Sequence, residues 1–139
     1  MELTFHLDIV SAEQEIFSGP VNMVVAPAEM GDVGVIARHS PLLTRLKPGE
    51  VKIVKEGQDD QYIYVSGGIL EVQPHVVTVL SDTAIRAKDL DEERALEMKR
   101  RAEEALANRQ SEIEEAKALA ELAQLTAQLR MLERRRMRR

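Results

Sequence analysis

The chain has 139 residues, no cysteine and a formal net charge of −5, with 44% hydrophobic and 31% charged residues. This length allows one domain with or without an appendage, and the composition is typical of a folded protein rather than a disordered one. The absence of cysteine excludes disulfides, thiolate nucleophiles and zinc sites built on sulfur.

The scarcity of aromatic residues and the lack of long apolar runs exclude further classes. Only two Tyr, two Phe and no Trp are present, so there is no stacking platform for nucleic-acid bases. No apolar run approaches the roughly 18 residues that span a bilayer, and the first residues lack a signal peptide's basic and apolar regions. We therefore expect a soluble, intracellular chain.

Composition divides the chain near residue 86. All seven Gly and all five Pro lie at or before Pro74, and the remainder is rich in Ala, Leu, Glu and Arg. Glycine and proline mark turns, whereas their absence over a long stretch favours helix. Charge divides in the same way, because residues 1–86 carry twelve acidic against six basic side chains, while the last ten residues carry six Arg and one Glu.

The first part is predicted to be an antiparallel β domain. Leu3, Phe5, Leu7 and Ile9 alternate with polar residues, which is the period of a half-buried strand. Six further short strands are expected, and their spacing favours a sandwich or flattened barrel over a βαβ sheet. Their predicted ranges are 21–25, 33–36, 51–55, 62–66, 69–73 and 76–80.

The second part is predicted to be an antiparallel hairpin of two helices. Asp89 followed by Glu92 fits a capping box, so the first helix should begin there and run to about Asn108. Ser111 followed by Glu114 repeats the pattern, so a second helix should begin near Glu112. The fold class is thus α+β, with a β domain over residues 1–86 and a helical hairpin over 87–139.

The predicted second helix has a narrow apolar stripe, and the first helix offers only small side chains in return. The stripe consists of Ala118, Leu122, Leu125, Leu129 and Leu132, and the facing residues of the first helix are Ala95, Met98, Ala102 and Ala105. Two helices form no closed core, so the stripe must lie on the β domain, on a partner, or on each in turn.

The sequence indicates no enzyme. It contains three His, at positions 6, 39 and 75, and none of the motifs of serine hydrolases, zinc peptidases or phosphate-binding loops. Lone histidines in strands and loops are most often structural, so we expect neither catalysis nor a metal site.

Four segments of the sequence, which are spread over most of the chain, resemble segments of one known family. The segments are FHLDIVSAEQEIFSG (5–19), GDVGVIARHSPLLTRLKPG (31–49), YIYVSGGILEVQPHVVTVLSDTAIR (62–86) and LDEERA (90–95). In order and spacing they resemble the epsilon subunits of bacterial F-type ATP synthases. No single segment is a catalytic signature, and the specificity lies in their joint order.

The resemblance implies a non-catalytic rotor subunit that needs no cofactor. Its expected partners are the gamma subunit, the ring of c subunits and the alpha and beta catalytic subunits, so that it would couple proton transport to ATP synthesis. It would lie peripherally on the cytoplasmic face of the bacterial plasma membrane, held there only through the complex. The β domain would dock the subunit, and the mobile hairpin would inhibit ATP hydrolysis.

Three groups of residues follow from the resemblance. Asp32 and His39 would contact the c ring, although Asp32 could equally stabilise its turn and His39 could be a solvated loop residue. A segment that binds regulatory ATP in some members corresponds to Leu90, Asp91, Arg94, Ala95 and Arg101, with a capped surface helix as the alternative. Contact with acidic loops of the catalytic subunits would fall to Arg130, Arg134, Arg135, Arg136, Arg138 and Arg139.

Two alternative functions remain at this point. A basic C-terminal tail can bind nucleic acid or anionic membrane, but the negative net charge and the lack of aromatics disfavour a nucleic-acid binder. The other alternative is a small β-domain adaptor whose leucine-striped hairpin binds an unrelated helical partner. Binding to a gamma subunit would distinguish the adaptor from the rotor subunit.

Overall fold

The computed structural model describes residues 3–138, and the chain divides into two compact units, Met1–Ala87 and Lys88–Arg139. The first unit is a nearly closed β barrel and the second is a pair of helices, which confirms the predicted α+β class. Its strands are β1 (Phe5–Val10), β2 (Glu15–Val21), β3 (Met23–Ala28), β4 (Gly31–Ile36), β5 (Leu42–Leu46), β6 (Gly49–Val54), β7 (Gln61–Val65), β8 (Gly68–Val72), β9 (Val76–Leu80) and β10 (Ala84–Arg86).

The strands form one sheet that curls back on itself. Their order is β10-β7-β6-β3-β5-β8-β9-β1-β2, with β4 paired to β3. At the seam between the two end strands, Nη2 of Arg86 in β10 donates a hydrogen bond of 2.6 Å to the carbonyl oxygen of Ile16 in β2. A side chain thus bridges the two ends of the sheet.

One pairing joins distant parts of the chain. All described pairs are antiparallel except that of β1 with β9, in which His6 faces Val76 and Val10 faces Leu80 in parallel register. On its other side β1 pairs with β2 in the antiparallel sense. Parallel neighbours require a long connection, and here the whole of β2 to β8 supplies it.

The core of the first unit is mostly aliphatic, as the shortage of aromatics predicts, although Phe5 and Tyr64 are buried too. Alternate residues of each strand face inward, so that Phe5, Leu7 and Ile9 of β1 are buried. They join side chains from the other strands, among them Val24, Ile53 and Leu70. Burying each such side chain stabilises the fold by about 1.5 to 3 kcal/mol before chain entropy is subtracted.

The sequence missed three strands and extended one predicted strand across the boundary between β2 and β3. It did not predict β2, β5 or β10, and its strand over residues 21–25 spans the end of β2 and the start of β3. Gly19 and Pro20 lie within β2, and both residues usually mark turns. Asn22 explains the break, because its backbone N–H bonds to the carbonyl of Val54 and its side chain receives the N–H of Glu56.

The second unit consists of helices α1 (Glu92–Ala107) and α2 (Glu112–Met137), preceded by a 3₁₀ turn (Ala87–Asp89). The predicted cap at Asp89 is wrong by two residues, because Asp89 belongs to that turn and Asp91 caps α1. The Asp91 carboxylate accepts the backbone N–H of Arg94 at 3.1 Å. The predicted cap of α2 is confirmed, since Ser111 Oγ accepts the N–H of Glu114 at 3.1 Å.

The two helices contact each other, but the predicted stripe is only partly buried. Ala95 and Ala102 of α1 and Ala118 and Leu125 of α2 are buried, whereas Ala105 is exposed. The buried residue near the end of α2 is Met131 rather than Leu132, which is half-buried. Within the described part of the chain, neither helix combines the length and apolarity that crossing a membrane requires.

Candidate functional site

Asp32 and His39 lie at opposite ends of β4. Asp32 is exposed next to the β3–β4 turn, whereas His39 follows the strand and is half-buried. The four residue steps from Asp32 to Ile36 alone span about 13 Å of extended chain. The two side chains are therefore separated along the strand, and their contact with a c ring stays a prediction.

Local contacts hold His39 in place. Its Nδ1 donates to the carbonyl oxygen of Ser40 at 2.6 Å, and its backbone N–H bonds to the carbonyl of Ile36 at 3.3 Å. Arg38 before it has a φ of 66°, a left-handed conformation that is uncommon for a residue with a side chain. At the other end of β4, Met30 is 98% exposed beside Asp32.

The segment from Leu90 to Ala95 contains the N-cap, Asp91, and the first turn of α1. Asp91 is exposed and uses one carboxylate oxygen as the helix cap, whereas the side chain of Ala95 is buried, so that Ala95 would contribute its backbone to a nucleotide site, as the resemblance implies. Leu90 is half-buried and Arg94 is exposed. Of the predicted ATP-binding residues in this segment, Arg94 and Asp91 are thus the exposed ones.

Arg101, two turns beyond Arg94, lies in a network of ion pairs on α1. Its Nε contacts Glu97 at 3.2 Å, and Glu97 also accepts from Arg100 at 2.8 Å. The hydrogen bond and charge of Arg100, with a smaller effect of Arg101, lower the pKa of Glu97. An incoming phosphate would therefore have to compete with Glu97 for Arg101.

The arginine cluster occupies the last turns of α2. Arg130 is exposed, and Arg134, Arg135 and Arg136 form the basic last turn before Arg138 caps the helix. Arg136 forms an ion pair with Glu92 in the first turn of α1. Arg139, also predicted to contact the catalytic subunits, lies outside the described residues.

A polar cluster that the sequence did not predict lies on the outer face of β1 and β2. Nε2 of His6 is 2.8 Å from Oδ1 of Asp8 and 3.1 Å from Oγ of Ser18, which also donates to that Asp8 oxygen at 2.7 Å. The hydrogen bond from Ser18 is the largest influence that lowers the pKa of Asp8, and His6 adds to it against the opposing effect of burial.

The geometry of this cluster is not that of a catalytic triad. A triad places the nucleophile and the carboxylate on different ring nitrogens of the histidine, whereas here both contact Nε2. The cluster is a cross-strand polar contact. Across residues 3–138, no group of three or more His, Cys, Asp or Glu is arranged to hold a metal ion.

Comparison with known families finds matches to both units. The family described as ATP synthase, Delta/Epsilon chain, beta-sandwich domain matches residues 4–87. The family described as ATP synthase, Delta/Epsilon chain, long alpha-helix domain matches residues 88–133.

Similar proteins and structures match over most of the chain. The ATP synthase epsilon chain of Nitrosococcus oceani is 63% identical over 96% of this chain and 96% of its own length. That of Nitrosomonas europaea is 60% identical over 93% and 92%. A mitochondrial ATP synthase of Euglena gracilis, solved as OSCP/F1/c-ring, contains a chain similar in fold, with a TM-score of 0.79 at 20% identity, covering 90% of this chain and 79% of that one.

Proposed function

Since the chain belongs to the ATP synthase epsilon-chain family, we propose that it is a non-catalytic rotor subunit that couples the c ring to the catalytic head and inhibits ATP hydrolysis. The observation that carries this proposal is the match of both units to the family, with 63% identity over 96% of the chain.

The β unit is proposed to dock the subunit. It would be held by the gamma subunit and seated on the c ring of a proton-translocating complex, at the cytoplasmic face of the bacterial plasma membrane. Asp32 supports this role because its exposed carboxylate beside Met30 is available to a partner. His39, which follows β4, is proposed to contact the c ring as well.

Asp32→Ala and His39→Ala are each expected to weaken assembly with c rings by about fivefold, because each removes one interfacial polar contact worth about 1 kcal/mol. The measurement is the affinity of the chain for c-ring membranes stripped of their own epsilon subunit, together with ATP-driven proton pumping after reconstitution.

Matched controls are Asp59→Ala and His75→Ala, which remove the same side chains from exposed positions elsewhere in the β unit. Their affinities are expected to stay unchanged. Equal affinities of the Asp32 and Asp59 variants would remove Asp32 from the proposed contact, and the same comparison applies to His39 and His75.

The helical unit is proposed to be the inhibitory part. The last ten residues carry six arginines and one glutamate, so the end of α2 is suited to acidic loops on a catalytic subunit. Arg130, Arg134, Arg135, Arg136, Arg138 and Arg139 are the proposed contact residues. Their contribution is separable from that of the β unit by truncation.

We further propose that the start of α1 can take regulatory ATP, through Arg94 and Arg101 seven residues apart on one helix face. With Asp91 used as the cap and Glu97 competing for Arg101, affinity is expected to be weak, with a Kd of about 1 mM.

Calorimetry with ATP tests this site. Arg94→Gln is expected to abolish the heat of binding, whereas Lys99→Gln, on the same helix, is expected to leave it unchanged. An absence of heat from the unmodified chain at millimolar ATP would contradict the site and leave a capped surface helix.

A further inference from the structure

The turn end of the helix pair is fastened by contacts between residues close in sequence. Arg109 donates to the carbonyl of Leu106 at 2.8 Å and forms an ion pair with Glu115 at 3.3 Å. The backbone N–H of Gln110 bonds to Glu114 at 2.7 Å. Because these contacts join residues at most six positions apart, they hold the turn without fixing where the distant end of α2 lies.

The open end carries a different kind of contact. Arg136 in the last turn of α2 pairs with Glu92 in the first turn of α1, across 44 positions of sequence. Such a pair forms only when α2 lies antiparallel to α1, so it stabilises the closed helix pair and nothing else. A contact that exists in only one of two arrangements biases the equilibrium between them.

Each partner is already favoured by its own helix. Glu92 lies at the positive end of the α1 dipole, and Arg136 at the negative end of the α2 dipole. Both charges therefore suit their helices when the ends are apart. Breaking the ion pair costs only the attraction between the two charges. It leaves no buried charge, since the side chain of Glu92 is 38% exposed and that of Arg136 is 61% exposed.

The magnitude of this attraction matters because few large apolar side chains oppose opening. Among the described residues of the second unit, five side chains are buried, and three of them are the alanines Ala95, Ala102 and Ala118. An exposed ion pair contributes about 0 to 1 kcal/mol, or up to about a fivefold change in an equilibrium. That is enough to matter only for an equilibrium that is otherwise nearly balanced.

We propose that Glu92 and Arg136 form an ionic latch that favours closure of the open end of the helix pair and competes with external partners for Arg136 while closed. The latch is reversible and weakens as salt rises, because both charges are partly solvated. Its consequence for inhibition rests on the proposed function, but the latch itself is a property of the isolated chain.

The test measures the distance between the helix ends in the full chain. The native chain has no cysteine, so Leu96→Cys and Met137→Cys, both at exposed positions, accept spin labels specifically. Pulsed electron paramagnetic resonance measures the distance between the two labels, which is short in a closed helix pair and long in an open one, and so gives the ratio of closed to open chains. The urea concentration is set so that this ratio is near one for the labelled chain, because a small change in the free energy of closing then produces a visible change in the ratio.

Glu92→Gln and Arg136→Gln are each expected to lower the ratio of closed to open chains by about two- to fivefold, and the double variant by no more than either one. This non-additivity is the signature of a direct interaction. Glu93→Gln, which removes an exposed carboxylate from the same turn, is the matched control and should leave the ratio unchanged.

Salt supplies a second readout. Raising the salt concentration from about 0.05 to 0.5 M should lower the ratio in the labelled parent chain and have less effect on the Glu92→Gln variant. The latch would be overturned if both single variants kept the parent's ratio of closed to open chains. It would also be overturned if the double variant lowered this ratio by the product of the two single changes, because the two residues would then act independently. Because no other ATP synthase subunit is present, either result leaves the rotor proposal standing.

Discussion

Gly68→Ala is expected to lower the free energy of unfolding of the β unit by about 3 kcal/mol or more. A Cβ at this position would lie 1.9 Å from the carbonyl oxygen and 2.9 Å from the carbonyl carbon of Leu80. These are backbone atoms of β9, the strand next to β8, so they cannot rotate away as a side chain could. Gly68 also has a φ of +132°, which strains any residue with a side chain.

Gly31→Ala separates the two causes. Gly31 has nearly the same φ, +129°, but a Cβ there would have nothing within 4 Å. The decrease in the free energy of unfolding caused by Gly31→Ala should reflect backbone strain alone, about 1 to 3 kcal/mol. Urea unfolding followed by tyrosine fluorescence is the measurement, since both tyrosines lie in β7. If both variants lose the same free energy of unfolding, the close approach of the Leu80 backbone to position 68 does not destabilise Gly68→Ala.

The full chain is expected to inhibit ATP hydrolysis by a catalytic complex stripped of its own epsilon subunit, while a chain ending at Ala87 binds without inhibiting. The arginine cluster lies entirely in the second unit, whereas the β unit keeps its own apolar core. If the six arginines together contribute about 2 kcal/mol to the stability of the inhibited complex, removing them changes the equilibrium constant between the inhibited and active states by about 30-fold. The measurement is the steady-state rate at saturating chain.

A full-length chain with all six of these arginines changed to glutamine is the matched control. It retains both helices, so intermediate inhibition would assign the remainder to the body of α2. Equal inhibition by the truncated chain would contradict the role of the helical unit. If neither chain binds the complex, the rotor proposal fails and the adaptor becomes the better explanation.

The elements predicted from sequence are those whose patterns are local. Alternation identified β1, and the Ser111 cap gave the start of α2 to the residue. The Asp89 cap failed because two aspartates two positions apart compete, and the 3₁₀ turn at 87–89 leaves Asp91 to bond the N–H of Arg94. With only three residues, β10 is too short for any period to appear.

The features that sequence could not predict depend on register between strands. His6 and Asp8 alternate visibly, but Ser18 reaches them only because Asp8 faces Ser18 in the β1–β2 pair. The clash at Gly68 likewise depends on the pairing of β8 with β9. The separation of Asp32 and His39 along the chain by most of β4 likewise becomes visible only once the bounds of that strand are known.

The parallel pairing of β1 with β9 determines when the barrel can be completed during synthesis. As the chain leaves the ribosome, β1 can pair at once with β2, but its other edge stays open until residues 76–80 have emerged. Contacts so distant in sequence slow folding, because the intervening loop must be closed first. An exposed strand edge is also a site for association with other chains. We therefore expect the nascent β unit to be most prone to aggregation before β9 appears, and to fold in one late, cooperative step.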